Sequence, residues 1–323
     1  MRSRSGSRVP AGGPAFGRRL ALRGGAAAGV LVAGGASLLA GCGTRDEPRP
    51  APAATRVVSI SPSATEAVFA LGRGDRVVGR STYCDEPPEA RAIPEVGGFA
   101  DPSLERIVAL APTLVVGERG PAGPRLVEAL EQRGIATYFP AMGNLAEIVA
   151  SLRGLGQRLD ATKEADVAAV RIETAIAEVE REVAGRPRPR VLFLFDFAPL
   201  VAAGPGSFPD ELLRRAGADN VVTSGGMYPR LGAEGVLALD PDAIVDGSAP
   251  GAYTEPPLAL LGGIAGLGAL RAVRERRVAR LEGTAALRPG PRIGEGLRQL
   301  ARVVAQLVAM SATKTVDGKA DGR

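Results

Sequence analysis

Hydrophobic and polar positions along this chain follow two rhythms. From Thr55 onward, short runs of branched and aromatic residues at 57–61, 76–79, 113–116 and 136–139 read as strands. Between them, apolar residues recur at helical spacing over 63–71, 103–110 and 124–133. Ser63 with Glu66 three positions on fits a capping box, and Gly134 fits a helix stop. Over 144–185 the texture changes: Ala, Glu, Leu, Ile and Val dominate and proline is absent. That stretch predicts one helix over 161–184, which would span roughly 30 Å, ended by Gly185-Arg186-Pro187-Arg188-Pro189. Alternation then resumes, with strands at 190–197, 243–246 and 277–281, helices at 208–216 and 233–239, and a closing amphipathic helix at 292–310. The pattern predicts an α/β protein built on largely parallel sheets.

A repeat organises these elements. Residues 103–116 align without gaps on residues 232–245, with 5 of the 14 positions identical. The two copies flank the long helical stretch, so the simplest architecture is two similarly built, Rossmann-like α/β lobes joined by one long rigid helix. The expected boundaries are 56–156 for the first lobe, 157–186 for the connecting helix and 187–310 for the second lobe. Residues 311–323 are polar and read as a frayed, disordered tail.

The N-terminus reads as a targeting segment. Six arginines and no acid precede Cys42, and a Gly/Ala-rich apolar stretch follows the last of them. That stretch is short for a membrane span, which needs about 20 strongly apolar residues. It ends in Leu39-Ala40-Gly41-Cys42, which resembles a bacterial lipoprotein processing site, and Arg18-Arg19 resembles a twin-arginine export signal. The expectation is a signal peptide over 1–41, lipidation of Cys42, and a Pro/Ala-rich tether to residue 55 that holds the folded part off a membrane. Without the six leader arginines the chain carries 34 basic and 35 acidic residues, so its high pI belongs to the leader. No basic surface for nucleic acid is implied. Cys84 has no partner for an internal disulfide once Cys42 is lipidated, and a buried, inert thiol is expected there.

The chemistry that the residues permit is narrow. The sequence contains no histidine, which excludes Ser-His-Asp and Cys-His catalysis and imidazole-based zinc sites. Neither a P-loop nor a dinucleotide fingerprint stands between a strand and a helix. Glu105 and Glu234 occupy equivalent positions in the repeat, each in the first turn of its helix, where the dipole favours a carboxylate. As a pair they also offer one acid per lobe to a pseudo-symmetric partner.

Several runs together resemble the cobalamin-binding periplasmic proteins, within the wider cobalamin, haem and siderophore class of importer-associated binding proteins. They are Arg56-Val-Val-Ser-Ile-Ser-Pro-Ser-Ala-Thr-Glu-Ala-Val-Phe-Ala-Leu-Gly72, Tyr83-Cys-Asp-Glu-Pro-Pro-Glu-Ala90, Val96-Gly-Gly-Phe99, Ser103-Leu-Glu105, Tyr228-Pro-Arg-Leu-Gly-Ala-Glu-Gly-Val-Leu237 and Arg288-Pro-Gly-Pro-Arg-Ile293. The resemblance implies a ligand cleft between two lobes and delivery to an ABC permease dimer with a cytoplasmic ATPase. It carries permease docking onto Glu105 and Glu234. The ligand would meet Tyr83, Phe99 and Tyr228, with Glu118, Arg119 and Arg288 as polar neighbours. The chain departs from the cobalamin pattern in having no tryptophan and in carrying Glu118-Arg119 where an aromatic is expected. A corrinoid is the first expectation. Haem would need tyrosinate ligation from Tyr83 or Tyr228, and a ferric siderophore would use Arg119, Arg230 or Arg288. An extracytoplasmic hydrolase on the same scaffold is a further alternative, and no cofactor beyond the transported metal complex is implied.

Overall fold

The computed structural model describes residues 55–120 and 123–317, with side chains to residue 310. The leader, Cys42 and the tether up to residue 54 lie outside the described residues.

The first lobe holds β1 (Val57–Ser59), α1 (Pro62–Ala70), β2 (Val77–Arg80), α2 (Leu104–Ala109), β3 (Leu114–Val116), α3 (Gly123–Glu131) and β4 (Ala136–Tyr138). Its four strands pair in the order β2-β1-β3-β4, all parallel. The helices α4 (Leu145–Arg158) and α5 (Thr162–Val183) follow. The second lobe holds β5 (Arg190–Phe197), β6 (Leu200–Ala202), α6 (Phe208–Arg215), β7 (Asp219–Asn220), β8 (Arg230–Leu231), α7 (Ala233–Leu239), β9 (Ala243–Asp246), α8 (Pro257–Gly263), α9 (Arg271–Arg274) and β10 (Val278–Arg280), closed by α10 (Ile293–Asp317). Its sheet runs β10-β9-β5-β6-β8, with β7 also on β5. β10, β9 and β5 are parallel, whereas β6 and β8 join antiparallel. The pattern did not reveal β6, β7 or β8: β7 and β8 have only two residues each, and β6 is a short run hemmed in by Pro199 and Gly204.

The two copies of the repeat have the same backbone chemistry. Ala111 and Asp240, at equivalent positions, both take a left-handed conformation, with φ of 45° and 39°. Each precedes a proline, which bars the helical conformation and ends α2 and α7 there. The equivalence extends to the first strand of each lobe. The Arg56 guanidinium donates to the carbonyls of Leu110 and Ala111, and Arg190 donates to those of Leu239 and Asp240. The Arg56 amide donates to Thr113 Oγ1 at 2.9 Å, and the Arg190 amide donates to Asp242 Oδ2 at 2.9 Å. Both arginines thus satisfy orphan carbonyls at a helix C-terminus, where a cation is favoured.

α5 carries 22 residues, about 33 Å of helix at 1.5 Å per residue. Its buried stripe is Ala165, Ala169, Ile172, Ala175 and Val179, mostly small. Small residues let neighbouring backbones approach closely: a Cβ on Gly156 of α4 would run into Ala165, and one on Gly294 of α10 would lie 2.9 Å from Ala175. One buried cluster therefore runs from Val57 and Leu114 through α4 and α5 to Phe193, Val245 and Leu297, with separate clusters on the outer face of each sheet. A shared core of this kind restrains motion between the lobes.

Two expectations change. The cap of α1 is Ser61, whose hydroxyl accepts from the Ala64 amide with Pro62 at the first helical position, so Ser63 and Glu66 form no capping box. α10 continues to Asp317, past the expected end at 310 and into the presumed tail, because no glycine or proline interrupts the chain before Gly318.

Candidate binding cleft

Ligands of α/β sheets gather outside the carboxyl ends of the strands, and there the lobes meet. β1 leads through Ser61 into the first turn of α1, and β3 leads through Gly117 to Glu118. A Cβ on Gly117 would lie 2.7 Å from both Ile60 and Phe139, so only glycine lets the chain turn tightly enough to bring Glu118 onto α1. There the Ser63 hydroxyl donates to Glu118 Oε1 in a very short contact. Burial pushes the Glu118 carboxyl above its usual range and the nearby Glu66 charge adds to that, while the Ser63 and Ser61 hydroxyls and Arg288 pull the other way.

Glu66 forms the floor. It projects from α1 and is 5% exposed. Arg288 Nη1 donates to its Oε1 at 2.8 Å, Arg292 Nε to Oε2 at 2.8 Å, and Arg292 Nη2 to Oε1 at 2.8 Å. Arg288 Nη2 also meets Asp85 Oδ1 at 2.7 Å, and Arg292 Nη2 donates to Thr284 Oγ1 at 2.7 Å. Both arginines sit in the segment entering α10, packed over α1 at Gly290, where a Cβ would lie 3.4 Å from that of Ser63. The second lobe thus clasps an acid of the first through charge-assisted, partly bidentate bonds.

Tyr228 enters from the second lobe. It stands on Phe195 edge to face, with centroids 5.7 Å apart, and Phe195 lies 4.9 Å from Phe193. The Gly204 amide donates to the Met227 carbonyl at 2.9 Å, which ties this loop to the end of β6. Burial, and then the Glu118 charge facing it, push the Tyr228 hydroxyl up to about 12. Tyr228 nonetheless remains 47% exposed, and Tyr83 on the first lobe is 63% exposed. The Tyr83 ring lies beside Gly98, where a Cβ would be 3.6 Å from it, and Phe99 follows half-buried.

Of the residues expected at the site, Glu118, Arg288 and Tyr228 converge, Tyr83 and Phe99 share one rim, and Arg119 is exposed beside Glu118. Sequence reasoning missed Ser61, Ser63, Glu66, Asp85 and Arg292. The available signals were a lone charge, Glu66, in the otherwise uncharged helix PSATEAVFA and two arginines bracketing Pro-Gly-Pro. Cys84 is buried, accepts from Thr65 Oγ1 at 2.9 Å, and burial raises its thiol, so it is not poised to react. Glu105 and Glu234 are exposed at the second position of α2 and α7, and neither has an ion pair among the described residues.

Residues 57–285 match the model of the periplasmic binding protein family. The chain belongs to the periplasmic binding protein family. It is 37% identical over 194 residues to the vitamin B12-binding protein of Salmonella typhimurium, covering 60% of this chain and 72% of that one. Its fold is similar to the periplasmic vitamin B12-binding protein BtuF of Vibrio cholerae, with a TM-score of 0.69 and 25% identity over 79% of this chain and 98% of that one. It is equally similar to the periplasmic heme-binding protein BhuT solved with two hemes, with a TM-score of 0.70 and 27% identity over 78% and 99% of the two chains. A periplasmic binding protein of this class is an extracytoplasmic, substrate-binding transport protein of an ABC importer, not an enzyme. What such a protein carries is a transported ligand, not a cofactor. Among the described residues no helix is long and apolar enough to cross a membrane.

Proposed function

We propose that this periplasmic binding protein is the lipid-anchored receptor of an importer for cobalamin or a related corrinoid. Cys42 carries the lipid, the tether to residue 55 spaces the fold from the membrane, and lobes over 56–156 and 187–310 hold the ligand across the helix at 157–186. The observation that carries the reading is that each lobe exposes one tyrosine, Tyr83 on the first and Tyr228 on the second, while the arginines of the floor are already neutralised. Flat apolar faces with polar groups between them suit an amphipathic macrocycle. Phe99, Glu118, Arg119 and Arg288 complete the contact surface, and Glu105 and Glu234 dock the loaded protein on the permease dimer.

Titration with cobinamide or aquocobalamin, followed by visible absorption and calorimetry, tests the reading. One corrinoid per chain at micromolar affinity or tighter is expected, and no heat with either compound overturns it.

The similarity to a heme-binding structure favours haem as a second reading. With no histidine in the chain, this reading takes a tyrosinate as the haem ligand. The upward shift of Tyr228 to about 12 works against that ligation.

A further inference from the structure

We infer that Glu118 sets the selectivity of the cleft: it turns away ligands that present a carboxylate at the floor and favours ligands that present amide N–H groups there. The inference rests on the corrinoid reading for its main probes.

Four observations carry it. Glu118 is fixed by a hydrogen bond to Ser63, with its carboxyl between the first turn of α1 and Tyr228, so a ligand lying between Tyr83 and Tyr228 passes over it. Arg288, the cation facing it, is already engaged by Glu66 and Asp85, and Arg292 is engaged by Glu66. The floor therefore sets two cations against three carboxyls, and among the described residues the arginines not committed to this cluster, Arg119 and Arg230, are exposed. Arg119, next in the chain, is exposed to water, where a charge attracts only weakly.

A second carboxylate brought against Glu118 must either be repelled or force a proton into the site. Juxtaposed like charges in a binding interface cost several kcal/mol. An amide instead donates to the carboxyl oxygen that Ser63 leaves free, and a buried carboxyl left without such a partner is penalised. Discrimination by one fixed polar group is the stronger kind, because a mismatched ligand leaves that group unpaired or opposed.

The test compares two ligand pairs on the full folded protein and on Glu118→Gln and Glu118→Ala, with thermal melts reporting that each variant is folded. The first pair is cobinamide, with peripheral amides, and cobyrinic acid, the same ring with carboxylates. The second pair is haem and its dimethyl ester. The native protein is expected to prefer cobinamide over cobyrinic acid, and both variants are expected to narrow that ratio by about tenfold or more. If corrinoids bind and the ratio is unchanged in both variants, the selector role falls while the corrinoid reading stands. If no corrinoid binds but the variants narrow a preference for the ester over haem, the selector role stands and the corrinoid reading falls. If no compound of either pair binds the native protein, both are overturned.

Discussion

Arg292 grips Glu66 through two of its nitrogens, at 2.8 Å each, and so ties the start of α10 in the second lobe to α1 in the first. Arg288 adds a third bond to the same carboxylate. Replacing Glu66 by Gln would leave two guanidinium groups facing each other across an uncharged side chain. Removing one partner of a buried ion pair costs about 3 to 5 kcal/mol. Arg292 keeps some contact with water, which places the expected loss for Glu66→Gln near the lower end, about 3 kcal/mol. Urea unfolding of the ligand-free protein measures it, and a loss under about 1 kcal/mol would show that the clasp does not hold the lobes.

The clasp also marks the limit of what the sequence disclosed. Long elements were legible because their signals are local: β5, α7 and β9 fall where the pattern placed them, and α5 ends before Gly185. The duplication was legible as well, since a helix, a proline and a strand recur with the same acids in the first turn. Glu66 and Ser63 were legible only as types. Three residues apart on one helix, they fit a local cap, and nothing local reveals that their partners lie at Glu118 and, 222 to 226 residues away, at Arg288 and Arg292. Long-range ion pairs follow from how two lobes close on each other, and that arrangement is not written in any window of the chain.

Glu118 and Tyr228 face each other across the lobes, and their titrations should be coupled. The Glu118 charge helps to hold the Tyr228 hydroxyl up at about 12, so Glu118→Gln should lower it and bring phenolate absorbance forward. Tyr228→Phe should remove one tyrosine's share of the late limb of the native titration, to which Tyr138 and Tyr253, also raised, contribute the rest. If the curve of Glu118→Gln superimposes on the native one, the two groups do not sense each other.

Glu118 also predicts a slope of stability with pH. Its carboxyl is raised in the folded protein, whereas in the unfolded chain it ionises near about 4.3. As pH climbs from that value through the raised one, the folded state binds more protons than the unfolded state, and stability falls. Glu118→Gln lacks this penalty. The stability of native protein relative to Glu118→Gln should therefore decline with rising pH across that window, as read from urea midpoints. A constant difference would contradict it.

Gly204 sits where β6 meets the loop that carries Tyr228. A Cβ there would run into the Gly226 carbonyl and lie 2.8 Å from Pro229. Backbone cannot yield as a flexible side chain does, so Gly204→Ala should cost about 1 to 3 kcal/mol. It should also displace Tyr228 from Phe195 and weaken ligand binding, although residue 204 itself need touch no ligand. Calorimetric titration beside urea unfolding checks both effects. A variant of native stability and native affinity would mean that the loop repacks freely.

Glu105 and Glu234 occupy the same place in the two lobes, exposed and unpaired among the described residues, at the second position of short helices. For folding, each supplies only a favourable charge at a helix N-terminus, worth about 0.3 to 1 kcal/mol. Under the docking role proposed above, two acids related by the lobe duplication would offer one carboxylate per lobe to a two-fold partner. Such exposed pairs contribute orientation and association rate more than affinity, which suits a receptor that must release its partner. The double variant Glu105→Ala, Glu234→Ala should therefore keep ligand affinity and nearly all stability, while association with the permease slows and loses its dependence on salt. Binding of loaded receptor to permease in proteoliposomes at low and moderate salt measures this. Native association by the double variant would remove the docking role, whereas weakened ligand binding would place the two acids inside the cleft's own energetics.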